Sequence, residues 1–243
     1  MNLKGSIPRD SLKCKGNKNL SSFISKMIFP KTLILQSFSL YENLLLYFCG
    51  MEKIAIFASG SGTNTQRIVE YFKGHPFIVV DLVLSNNPEA FVLTRAKSLG
   101  IPTVIFTRQD FYETERVLTI LKERKITFIV LAGFLWLIPG YLLREYADRI
   151  VNIHPALLPG YGGKGMYGMR VHESVIHSGD KESGISIHLV NEKYDEGQII
   201  FQSRCKVEPD DTPESLAQKI HKLEYEHYPR IIESLLNTSL KPG

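Results

Sequence analysis

The chain has 243 residues, 44% of them hydrophobic and 22% charged, with a formal charge of +4. These proportions are those of a chain that buries a core, and they exclude a disordered polyelectrolyte and a membrane bundle. The small charge, without an arginine-rich stripe interleaved with aromatics, does not point to binding built on nucleic-acid phosphates.

Small molecules are therefore the expected partners, with neither nucleic acid nor a membrane among them, and the chain is expected to be a monomer or homodimer. Cys14, Cys49 and Cys205 stand far apart, are odd in number and form no C-x-x-C pair. That usage suits a reducing cytoplasm.

In chain order, residues 1–50 differ from the rest, with Lys4, Arg9, Lys13, Lys15, Lys18, Lys26 and Lys31 against Asp10 and Glu42. The basic lead is too long for a secretory signal, and Glu42 interrupts the apolar run from Leu33 to Leu46. No stretch approaches the roughly 20 apolar residues that a membrane span needs. Residues 1–50 read as an N-terminal extension, disordered or added by an upstream start, and the folded domain is expected over 51–243.

From Met51, short apolar runs alternate with longer amphipathic ones. Strands are expected at 53–58, 77–84, 103–106, 126–131 and 149–153, each buried on both faces, with helices at 64–72, 89–99, 111–123 and 139–146 between them. Then come a glycine-dense loop, a helix near 171–177, strands at 184–190 and 198–207, and a long helix from about Thr212. The alternation predicts an α/β fold: an open, mostly parallel twisted sheet with helices on both faces, Rossmann-like.

The loop Ser59-Gly60-Ser61-Gly62-Thr63-Asn64 follows the first strand and opens the first helix. Unpaired N–H groups and the positive helix end favour an anion there, and the glycines let a phosphate approach the backbone. The same loop also serves as a plain strand-to-helix turn. The third glycine of a dinucleotide fingerprint is absent, and no Lys-Ser or Lys-Thr closes a Walker loop.

Asn152 and His154, two residues apart at the end of the fifth strand, share one face of an extended chain and would point into the crevice at the carboxyl end of the sheet. An amide donor beside a titratable imidazole suits acyl transfer, in which a carbonyl oxygen becomes anionic and an amine leaves. Structural caps at a strand end are the plainer alternative.

The run Asn152-Ile-His154-Pro, followed by Leu157-Leu-Pro159, resembles the signature of enzymes that take a formyl group from 10-formyltetrahydrofolate. Leu131-Ala-Gly-Phe-Leu-Trp136 and Asn191-Glu-Lys-Tyr-Asp195-Glu-Gly197 resemble two further segments of that family, and Gly60–Asn64 its phosphate loop, most closely in the folate-dependent glycinamide ribonucleotide transformylase family. The resemblance implies formyl transfer in purine synthesis, with 10-formyltetrahydrofolate as co-substrate and no metal. It implies catalytic roles for Asn152, His154 and Asp195, the aspartate raising the pKa of the imidazole. It implies a nucleotide-phosphate site at Gly60, Ser61, Gly62, Thr63 and Asn64, with Glu224 at the ribose or amine end, although Glu224 on an amphipathic helix fits a solvated face equally well.

Folate contacts implied by the resemblance are Arg108, Leu135, Trp136, Leu137, Ile138, Asn152, Asn191 and Asp195. Trp136 stands where many relatives have arginine and would stack instead. The loop 160–169 departs from the family pattern and reads as a lid in which Lys164 or Arg170 reaches the phosphate, or as an exposed loop. His188, alternating with Ile185, Ile187 and Leu189, reads as a structural histidine, and His172 has no assigned chemistry. A transformylase acting on initiator tRNA, a formyltetrahydrofolate deformylase and a nucleotide-binding module are the rival readings.

Overall fold

The computed structural model describes residues 50–239. The extension assigned to 1–50, with the signal and anchor questions attached to it, lies outside the described residues apart from Gly50.

The described residues form seven strands and seven helices: β1 (Glu52–Phe57), α1 (Thr63–Tyr71), β2 (Ile78–Ser85), α2 (Phe91–Ser98), β3 (Thr103–Ile105), α3 (Arg108–Tyr112), α4 (Arg116–Glu123), β4 (Phe128–Leu131), α5 (Gly140–Glu145), β5 (Ile150–His154), α6 (Met169–Ser178), β6 (Glu182–Leu189), β7 (Ile199–Lys206) and α7 (Pro213–Ser239). They build one sheet in the order β3-β2-β1-β4-β5-β6-β7. The first five strands are parallel, while β6 runs antiparallel to β5 and β7 antiparallel to β6.

The apolar runs that marked β1 and β4 are buried because helices cover both faces. On one face Ile68, Val92, Val175, Leu216 and Ile232 of α1, α2, α6 and α7 pack on the sheet. On the other, Phe111, Val117, Leu121 and Leu142 of α3, α4 and α5 do so. The chain runs outward through β1, β2 and β3, then returns to place β4 on the other side of β1. The order therefore reverses between β1 and β4, and their carboxyl ends open a crevice. Among the described residues no helix is long and apolar enough to cross a membrane.

Two expectations need correction. The helix expected over 111–123 is two helices: Thr107 and Asp110 form a reciprocal capping box that starts α3 upstream, and Glu115 breaks the run at φ 52 before α4. The third strand is not buried on both faces, since β3 is an edge strand whose Thr103 and Ile105 are exposed.

Candidate active site

Three segments converge at the carboxyl ends of β1, β4 and β5. The turn after β1 is tied to the turn after β4, with Ser59 N donating to the Gly133 carbonyl at 3.0 Å and Leu135 N to Ser59 Oγ at 3.2 Å. In the glycine loop, the Gly60 carbonyl accepts from Val92 N and the Ser61 carbonyl from Arg95 Nε, so both are drawn toward α2. Gly62 takes φ 75, and a Cβ there would lie 2.5 Å from Val92, so this position admits only glycine. No side chain caps α1 and no acidic residue stands in its first turn, so its N-terminal amides keep their positive end for an anion.

Asn64, in that first turn, donates Nδ2 to Glu224 Oε2 at 3.0 Å. Glu224 is only 6% exposed, so it belongs to this corner of the crevice and not to a solvated face. Burial pushes its carboxyl up from 4.5 to about 7, against the Asn64 hydrogen bond that lowers it. One turn on, the phenol of Tyr228 donates to the carbonyls of Leu131 and Val151 and pins α7 to the ends of β4 and β5.

Asn152 and His154 share a face of β5, as their spacing predicts, and the antiparallel register sets His188 opposite Asn152 and Ser186 opposite His154. Asp195 comes from the loop after β6 and meets all three polar rings and amides of that face. Its Oδ2 lies 3.5 Å from His154 Nδ1, and its Oδ1 lies 3.6 Å from His188 Nε2 and 3.4 Å from Asn152 Nδ2. Gly163 N donates to Asp195 Oδ2 at 2.9 Å, and a Cβ on Gly162 would crowd Leu158 at 2.6 Å. His154 Nε2 donates to the Tyr161 carbonyl at 2.7 Å. Ser186 accepts from Leu158 N and donates to the Ala156 carbonyl, which fixes the segment leaving β5.

The charges follow from burial. Desolvation holds His154 below the ordinary imidazole value; Asp195 pulls upward but does not win, which corrects the expectation that the aspartate would raise it. For Asp195, burial alone would lift the carboxyl, yet the His188 and His154 rings and the Gly163 N–H together keep it below the ordinary value. Near neutrality the pair is an anionic carboxylate facing a neutral imidazole.

Sequence reasoning missed His188 as a member of this group. It is buried with Nδ1 2.8 Å from the Leu189 carbonyl, the satisfied histidine expected, but its Nε2 lies 3.1 Å from Asn152 Nδ2 and holds that amide in place. The only local signal was its shared face with Ser186. His172 is buried, its Nδ1 has no hydrogen-bond partner among the described residues, and burial pushes its pKa to about 4.

Of the residues assigned to folate, Arg108 stacks 4.9 Å over the Tyr112 ring, and Trp136 joins Phe106, Phe111, Tyr112 and Phe134 in an aromatic cluster beside the β4 turn. Leu135 is exposed and Leu137 half-buried, its carbonyl accepting from Tyr112 Oη at 2.8 Å. Ile138 is a core residue at 3% exposure, packed with the cluster under the β4 turn. Asn191 is exposed, and its Oδ1 accepts from Lys193 N at 2.9 Å. Lys164 is exposed, and Arg170 lies over the Tyr167 ring at 5.4 Å. Among the described residues no group of three or more His, Cys, Asp or Glu side chains is placed to hold a metal ion.

Residues 52–232 match the formyl transferase family. A chloroplastic phosphoribosylglycinamide formyltransferase of Arabidopsis thaliana is 38% identical over 196 residues, 78% of this chain and 67% of the plant protein. The phosphoribosylglycinamide formyltransferase of Bacillus subtilis is 35% identical over 191 residues, covering 76% of this chain and 95% of its own. The crystal structure of phosphoribosylglycinamide formyltransferase from Bacillus halodurans superposes with a TM-score of 0.69 at 37% identity, over 77% of this chain and 97% of that one.

Proposed function

The chain belongs to the formyl transferase family, and we propose that it moves the formyl group of 10-formyltetrahydrofolate to the amine of phosphoribosylglycinamide, a step of purine synthesis. The observation that carries this reading is the meeting of Asn152 and His154 on Asp195, at 3.4 and 3.5 Å, at the end of the sheet where open α/β proteins bind ligands.

The loop amides from Gly60 to Asn64 receive the phosphate, and Glu224, held by Asn64, faces the ribose or amine end. Leu135, Leu137 and the Tyr112–Trp136 aromatic pair offer the folate an apolar wall on which its rings stack. The amine attacks the formyl carbon, whose oxygen gains negative charge. Asn152 Nδ2 meets that oxygen: its contact with Asp195, at 3.4 Å, is the longer of its two and the one that gives way. His154 handles the proton, and Asp195 offsets the positive charge on the ring when it carries one. No step needs a metal. The scattered cysteines, Cys205 among them as a free thiol, support a reducing cytoplasm as its compartment.

Three parallel assays test the reading: 10-formyltetrahydrofolate with phosphoribosylglycinamide, with initiator methionyl-tRNA, and with no acceptor, following loss of the formyl group. Turnover confined to the first supports it. Equal loss without an acceptor makes the protein a deformylase, and no loss in any of the three makes it a binding module. His154→Ala should abolish transfer without changing the far-ultraviolet circular dichroism.

A further inference from the structure

A carbonyl oxygen only accepts hydrogen bonds, so His154 Nε2, 2.7 Å from that of Tyr161, carries a proton, and in the neutral ring Nδ1 is a bare lone pair. That lone pair lies 3.5 Å from Asp195 Oδ2, an unfavourable opposition in the neutral ring that becomes an ion pair once Nδ1 is protonated. The tautomer therefore depends on what keeps the Tyr161 carbonyl in place.

Tyr161 itself does so. Its backbone sits at φ 55, a left-handed conformation that a residue with a side chain keeps only when its surroundings hold it. Its ring packs against the core on the α1 and α7 face. Its hydroxyl bonds Ser178 Oγ at the end of α6 and Asp180 Oδ2 at 2.6 Å. Gly163, two residues on, donates to Asp195, so the same short segment touches both His154 and its carboxylate partner.

We propose that Tyr161 is a positioning residue for the transfer: hooked by its phenol to Ser178 and Asp180, it keeps its carbonyl on His154 Nε2 and makes Nδ1 the working edge of the imidazole. This rests on the reading of His154 given above. The proton count closes around that atom. The amine gives up a proton as the new C–N bond forms, the folate nitrogen takes one as its bond to the formyl carbon breaks, and Nδ1 carries it between them. Asp195 stabilises the ring during the interval in which both nitrogens hold protons.

Nitrogen-15 NMR of the histidine-labelled protein tests this, with the His154 signals assigned by their absence in His154→Ala. The neutral His154 ring is expected as the Nε2–H tautomer. Tyr161→Phe keeps the packed ring and loses the hook; kcat should fall about tenfold with both KM values held within about twofold, and the tautomer should become mixed. Asp180→Asn combined with Ser178→Ala, which cuts the hook from its other end, should reproduce both effects. An Nδ1–H tautomer in the unaltered protein overturns the proposal. So does a Tyr161→Phe protein whose kcat falls while its tautomer stays, since Tyr161 would then be scaffold alone. Near-normal turnover by His154→Ala would instead remove the underlying reading, and the tautomer measurement would stand apart from it.

Discussion

Replacing Glu224 by glutamine should stabilise the protein in a pH-dependent way. The carboxyl is 6% exposed, and burial lifts its pKa from 4.5 to about 7. Between those two values the folded chain holds a proton that the unfolded chain has released, so stability falls as pH rises through the window, and the full cost is present above it. The interval from 4.5 to about 7 corresponds to roughly 3 kcal/mol at about 1.4 kcal/mol per pH unit. Glutamine keeps an oxygen for the Asn64 hydrogen bond and never ionises. Glu224→Gln should therefore gain roughly 3 kcal/mol over the parent at pH 8.5 and less than about 1 kcal/mol at pH 5. With a urea slope of about 2 kcal/mol per molar, the midpoint moves up by about 1.5 M at the higher pH and by under about 0.5 M at the lower. A midpoint shift of the same size at both pH values, or none at pH 8.5, would show that the buried carboxyl does not carry this cost.

Asn152→Ala should lower kcat by about 100- to 1,000-fold, the usual cost of one oxyanion donor; a loss appearing wholly in KM would assign Asn152 to ground-state binding. Asn64→Asp sets a second carboxylate against Glu224, where Nδ2 now donates at 3.0 Å, and adds charge beside the phosphate loop. Calorimetric titration should show weaker binding of phosphoribosylglycinamide with folate affinity almost unchanged, and equal loss of both would displace the phosphate from this loop. Gly62→Ala meets Val92 at 2.5 Å from a backbone at φ 75, and thermal unfolding should reveal a loss of about 1–3 kcal/mol. An unchanged melting temperature would mean the turn has room that the structure denies it.

Much of the architecture was legible in the order of residues, because parallel strands covered on both faces must be continuous apolar runs, as in 53–58 and 126–131, and crossover helices must show a helical apolar period between them. The two-residue spacing of Asn152 and His154 was legible for the same reason: a strand's pleat is a local property, and it alone sets both side chains on one face. Asp195 was not readable from spacing, and its place in the group came from the resemblance of its loop to the family's.

Tertiary structure decided the rest. Glu115 breaks the helix expected over 111–123 through a left-handed backbone that its side chain does not announce, and β3 is half-exposed only because it lies at the edge of the sheet. His188 joins Asn152 through the antiparallel register of β5 and β6, and the Tyr161 carbonyl reaches His154 through a loop held by Ser178 and Asp180. The sign of the His154 shift was set the same way, since neighbouring charge can be guessed from residue types, whereas desolvation depends on how completely other segments of the chain exclude water from the ring.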